Sequence, residues 1–122
     1  MDKEQALQKF WESFDIPAYD ETSVSDRSSF PYITYSVSTS SLDMPVTISA
    51  SLWYRSTSWE AISKKKNEIA ESIGVGGKTI KIDDGYIWIK RGTPFAQRMA
   101  DPSDDMVRRI YLSLDVEFLT AT

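Results

Sequence analysis

The side chains that most often do chemistry are sparse in this chain and poorly spaced for it. Neither His nor Cys occurs among its 122 residues. That removes the commonest general base, the thiolate nucleophile and most zinc ligands. The segment Gly74-Val75-Gly76-Gly77-Lys78-Thr79 has the texture of a phosphate loop. Such a loop needs glycine where Ser72 stands, and it must lead from a strand into a helix whose N-terminus faces the phosphate. Here the helical pattern comes before the glycines and the strand pattern after, so they read as a helix stop and a turn.

The acids give no better case. Asp83-Asp84 and the group Asp101, Asp104 and Asp105 are the metal candidates. Adjacent carboxylates on a strand point to opposite faces. Asp84-Gly85 is a hairpin-turn signal, and Asp101-Pro102-Ser103-Asp104 is ordinary loop chemistry. The alternating acids and closing Glu of a calcium loop are missing. Asp115 and Glu117 share one face of a strand and read as a solvated or partner-facing surface instead of an acid–base pair. Lys64-Lys65-Lys66 lies beside Glu60, Glu68 and Glu71 and reads as a solvated helix face with i,i+4 pairing. No catalytic, cofactor-binding or metal-ligating residue is assigned, and no enzyme is expected.

The elements that would position any site are clearer. Leu7, Phe10, Trp11 and Phe14 recur at helical spacing within Lys3 to Phe14. Pro17 ends that helix, and a polar loop runs from Asp20 to Ser29. Phe30 to Val37 is an aromatic, β-branched strand with Pro31 at its start, where the missing N–H is tolerated. Ser38 to Pro45 is a loop. Val46 to Arg55 alternates apolar and polar, the mark of a half-buried strand. Thr57 or Ser58 caps a second helix, Trp59 to Ile73, ended by Gly74 in left-handed geometry. Thr79 to Asp83 and Tyr86 to Arg91 form a hairpin. A long loop, Gly92 to Asp105, leads into a last strand, Val107 to Leu119, with Ile110, Leu112, Leu114, Val116 and Phe118 on its core face. The expected fold is one α+β domain over 1–122. It is a mainly antiparallel sheet of about five strands with two helices on one face, in the order α-β-β-α-β-β-β.

Composition narrows the function classes. Lys plus Arg is 14 and Asp plus Glu is 18, a net charge of −4. Such a chain has no general affinity for nucleic-acid phosphates. No apolar run reaches the roughly 18 residues of a membrane span. The polar start Met1-Asp2-Lys3-Glu4-Gln5 does not read as a signal peptide, and the absence of Cys suits a reducing compartment. A soluble intracellular product is expected. Two features stand out. Trp53, Trp88 and Tyr86 occupy the nominally polar faces of their strands, where a second layer or a partner would cover them. The loop from Gly92 carries Phe95, Arg98 and Met99, residue types that suit a contact arm.

Read in order, the chain resembles the tail terminator, or tail-completion, proteins of long-tailed phages and prophages. The resemblance covers nearly the whole chain. It rests on Phe10-Trp11 in the opening helix, then Ile16-Pro17-Ala18-Tyr19, then Phe30-Pro31-Tyr32-Ile33-Thr34-Tyr35. It continues through Leu52-Trp53-Tyr54-Arg55, Ser58-Trp59-Glu60-Ala61, the hairpin Gly85-Tyr86-Ile87-Trp88-Ile89 and the ending Glu117-Phe118-Leu119. The resemblance implies a structural subunit of a six-membered ring that caps the finished tail tube. The ring stops addition of the major tail-tube protein and offers a surface to the head connector or stopper. DNA would pass its lumen without specific binding, helped by acidic charge, and no cofactor or membrane would be involved. The place implied is the head-proximal end of the virion tail, after synthesis in the host cytoplasm. Expected contact residues are Trp53, Trp88, Phe95, Arg98 and Met99. The loops Ser38 to Pro45 and Gly92 to Asp105 are the expected ring surfaces. Two other readings fit the same residues: another head–tail joining or head-completion protein, and, from another class, a small intracellular ligand-binding or enzymatic domain.

Overall fold

A computed structural model describes residues 1–22, 29–36, 46–100 and 104–120. The elements follow as α1 (Lys3–Glu12), β1 (Ala18–Asp20), β2 (Tyr32–Tyr35), β3 (Val46–Arg55), α2 (Glu60–Ile73), β4 (Lys78–Ile82), β5 (Gly85–Ala100) and β6 (Val107–Thr120). The chain is α+β, as its pattern of elements predicts.

Helix α1 starts where two side chains satisfy each other's backbone. The Asp2 carboxylate accepts from Gln5 N at 2.8 Å, and the Gln5 side chain accepts from Asp2 N at 3.1 Å. Its apolar stripe, Ala6, Leu7, Phe10 and Trp11, is buried, and Phe14 follows it into the core just past the helix end. At the start of α2, Ser58 Oγ accepts from Glu60 N at 3.0 Å. Ile62, Ile69 and Ile73 face the core. Gly74 has the positive φ expected of it, 76°, but its ψ of 174° sends the chain out extended, not left-handed helical. Lys65, from the basic run, donates to Phe14 O at 2.8 Å and ties α2 to the end of α1.

The sheet has six strands in the order β1-β2-β3-β6-β5-β4. The pairing of β1 with β2 is parallel and every other pairing is antiparallel. The expected five-strand sheet is therefore one strand short, and the order becomes α-β-β-β-α-β-β-β. Ala18–Asp20 is the missed strand: three residues are too few to display alternation. At the sheet centre β3 and β6 stay in register from Val46 opposite Val116 to Arg55 opposite Val107.

The larger correction concerns the expected loop Gly92 to Asp105: its first nine residues are strand. Strand β5 continues to Ala100, still paired with β6. Proline has no N–H for the ladder, so Pro94 reads as the end of a strand. The strand absorbs it in a bulge: Arg91 lies opposite Leu114, and pairing resumes with Ala96 opposite Leu112. Gly92 sits in that bulge because the backbone there runs very close to β6; a Cβ would lie 2.7 Å from Ser113 O. The turn between β4 and β5 also shifts by one residue. Asp83 and Asp84 form it, and Gly85 already pairs with Ile82.

Both helices cover the same face of the sheet. Leu7, Phe10 and Trp11 of α1 and Ile62, Ile69 and Ile73 of α2 share one core with Ile33, Ile48, Leu52, Ile87, Ile89, Ile110, Leu112, Leu114 and Val116. Helix α1 touches both β1 and β4, the two edge strands. In a flat sheet those edges would stand roughly 24 Å apart at about 4.8 Å per pairing. A helix about 10 Å across does not bridge that span, so the sheet curls around α1. The Asp83 N–H closes the seam by donating to Met1 O at 3.0 Å.

Candidate interaction face

The opposite face of the sheet has no helix on it among the described residues. Its side chains are those that alternate with the core residues, and register sets them in rows. One row crosses four strands: Tyr32 on β2 opposite Trp53 on β3, Trp53 opposite Arg109 on β6, and Arg109 opposite Met99 on β5. The next row sets Thr34, Ser51, Tyr111 and Gln97 side by side.

The first row is a continuous stack. Tyr32 and Trp53 lie nearly parallel, with centroids 6.2 Å apart. Tyr19 and Phe30 flank Tyr32 at 6.0 and 5.2 Å. The Arg109 guanidinium sits 4.7 Å from the Trp53 centroid and 5.9 Å from that of Tyr111. Hydrogen bonds fix the orientation. Trp53 Nε1 donates to Thr34 Oγ1 at 2.9 Å, and Arg109 Nε donates to Ser51 Oγ at 3.0 Å. Ser51 is itself buried beneath these larger groups. Burial, with the nearby Tyr19 hydroxyl second, raises the Tyr32 pKa above its ordinary value, which keeps the phenol a neutral hydrogen-bond donor. Together Glu21, Tyr32, Thr34, Ser51, Trp53, Arg109 and Tyr111 line a groove of about 270 Å³.

The middle of this face is polar, with Thr47 opposite Asp115 and Ser49 opposite Ser113. Thr47 Oγ1 donates to the Asp115 carboxylate at 3.4 Å. At the far end Tyr86 lies opposite Leu119. Each is 48% exposed, more than any other large apolar side chain described except Val75. Ten residues of β6 separate Arg109 from Leu119, about 33 Å at roughly 3.3 Å per residue.

The expected contact residues do not form one patch. Trp53 and Met99 belong to the aromatic row, and Met99 is exposed. Trp88 lies on the same face but is engaged within the chain. Its Nε1 donates to Gly76 O at 3.1 Å, and Lys90 Nζ stands 4.2 Å from its ring centroid. Phe95 packs against the core. Arg98 pairs with Ile110 and reaches the helix side, its guanidinium 4.8 Å from the Trp59 ring. Ser38 to Pro45 lies outside the described residues, as does Asp101. Tyr32, Arg109, Tyr111 and Leu119 are not among the contact residues expected from sequence, although Tyr32 and Leu119 fall in stretches that carry the resemblance. Arg109 and Tyr111 carried a usable signal, because both fall on the non-core parity of the last strand.

Asp104 and Asp105 do not gather into a metal site. Asp104 accepts from Arg55 at 2.6 Å and from Met106 N at 2.9 Å. Among the described residues no group of three or more acids could hold a metal ion. No described helix is long and apolar enough to cross a membrane. No family model matches this chain, and neither a curated protein nor a solved structure matches it significantly.

Proposed function

We propose that this chain is a structural subunit of a phage tail terminator, a ring that caps the finished tail tube and receives the head connector. The observation that carries this reading is the sheet face that no described helix covers, with its row Tyr32-Trp53-Arg109-Met99. Ordered aromatic, Arg and Met side chains are the types enriched where proteins bury surface against each other. A ring of identical copies needs two different surfaces on each copy, because its contacts are heterologous. The aromatic row at one end of the face and Tyr86 with Leu119 at the other supply two such surfaces. The order and texture of residues that resemble tail terminators support the choice among ring proteins. The tail-tube protein and the head connector are the partners in this reading, and the tail's head-proximal tip is its place.

Electron microscopy of particles assembled without this gene tests it. Tails of uncontrolled length lying apart from DNA-filled heads are expected. Tails of normal length on intact particles would sink the proposal. Normal free tails beside leaking heads would move the protein to the head side of the joint.

A further inference from the structure

We propose that the groove around Arg109 is a carboxylate-recognition site, and that its occupant is an acidic segment of another polypeptide, an Asp or Glu beside an apolar residue. The proposal goes beyond the ring reading and does not depend on it.

Arg109 is held in an unusual way for a surface cation. Trp53 and Tyr111 flank its guanidinium plane at 4.7 and 5.9 Å, and Ser51 Oγ takes its Nε–H at 3.0 Å. A guanidinium has five N–H donors in a rigid fork. One is used here, and the terminal nitrogens have no ion pair or hydrogen bond among the described residues. Arg55, by contrast, already pairs with Asp104. A pre-oriented, partly shielded fork of this kind matches a carboxylate with two parallel hydrogen bonds. The Thr34 hydroxyl and the neutral Tyr32 phenol add polar groups at the wall, and the rings of Tyr32 and Trp53 offer an apolar shelf beside it. A ligand that fits both halves has a carboxylate next to an apolar side chain.

Charge favours a polypeptide over a nucleic acid. Aromatic rings with an arginine on a sheet face also suit single-stranded nucleic acid, but such sites track the backbone with a cationic groove. Here Glu21 is itself one of the groove's lining residues, Asp20 is next to it in sequence, and the chain's net charge is −4. A single carboxylate needs one cationic partner, Arg109, whereas a phosphate chain carries a charge at every residue and needs a cationic track that a groove lined by Glu21 does not supply.

The test is an NMR titration of the ¹⁵N-labelled full chain with acetyl-Leu-Glu-amide, with acetyl-Leu-Gln-amide as the uncharged control. Saturable shifts of the Trp53 indole N–H and the Arg109 Nε–H are expected with the Glu peptide. The Gln peptide should bind about tenfold or more weakly, because the charge-assisted pair is lost. Arg109→Met should abolish the response, and Arg109→Lys should keep a fraction of it, since an ammonium does not form the fork. Equal responses to the Glu and Gln peptides would overturn the proposal without any variant. So would shifts that persist in Arg109→Met, or no saturable shift on wild type. A hexathymidylate that moves the same resonances more strongly than the Glu peptide would overturn it too.

Discussion

On the helix side of β3 and β6, Ile48, Leu52, Ile110, Leu112 and Leu114 are at most 2% exposed. On the other side, Ser49, Trp53, Arg109, Tyr111 and Ser113 are partly open to solvent, and of the residues alternating with the core set only Ser51 is buried. Apolar burial against two helices makes the first face the source of stability. The second face is held by point contacts, such as an indole on a threonine and a guanidinium on a serine, which order the side chains without covering them. Ordering without covering suits recognition: the rotamer entropy is already lost before a partner arrives.

That contrast breaks most easily on the helix side. Trp11 is fully buried and stacks on Tyr35 with centroids 6.5 Å apart. Trp11→Ala should cost about 3–5 kcal/mol through lost contact and a residual cavity. Urea unfolding followed by circular dichroism would read that loss, and a change under about 1 kcal/mol would remove α1 from the core.

The α2–β4 turn comes next. Gly77 has φ of 89°, and a Cβ there would lie 2.5 Å from Trp88 Nε1 and 2.7 Å from Ile89 O. Gly77→Ala combines backbone strain with a clash against main chain, and should cost about 1–3 kcal/mol. It should also free the Trp88 indole from Gly76, which Trp fluorescence would report.

Changes on the open face should separate stability from binding. Trp53→Ala loses one hydrogen bond, one cation–π contact and the stack on Tyr32, and should cost about 1–2 kcal/mol. Met99→Ala should cost less, since Met99 is 38% exposed. Both should weaken assembly far more than they shift the unfolding midpoint. Phe95→Ala serves as the counter-case: Phe95 packs on the core, so its loss should appear in unfolding first.

The smallest effect is electrostatic. Hydrogen bonds from Met106 N and then from Arg55 hold the Asp104 carboxyl below its ordinary value of 3.8. A folded pKa below the unfolded one adds stability above about pH 3.8 that is lost as pH falls through the folded value. Asp104→Asn should therefore lower the melting temperature slightly near neutrality and converge with the wild type at low pH, which flattens the acid limb of a plot of melting temperature against pH. An unchanged acid limb would show that the Arg55–Asp104 pair is fully screened.

The sequence made the helix-covered face legible because alternation over β3 and β6 is long and clean. Val46 to Arg55 and Ile110 to Phe118 needed only parity to reveal their inner sides. The parts that differed share one cause: a local signal outvoted by pairing. Pro94 announces a strand end, yet the ladder with β6 resumes beyond the bulge at Ala96. Ala18–Asp20 has no pattern of its own and is a strand only because β2 lies beside it. For the face itself, Trp53 was visible as an aromatic on the wrong parity. Arg109 carried only its non-core parity, because its role comes from Trp53, Tyr111 and Ser51, which are brought together by register between strands distant in sequence.

The central claim is that the open face exists to be covered by other polypeptide. Sedimentation equilibrium of the wild-type chain beside a Tyr32→Ala, Trp53→Ala, Met99→Ala triple variant tests it most directly, with urea unfolding of both as a control. The account predicts a closed oligomer for the wild type and a folded monomer for the variant. A variant that assembles as well as the wild type would contradict it, and so would a wild type that remains monomeric both alone and with tail tubes.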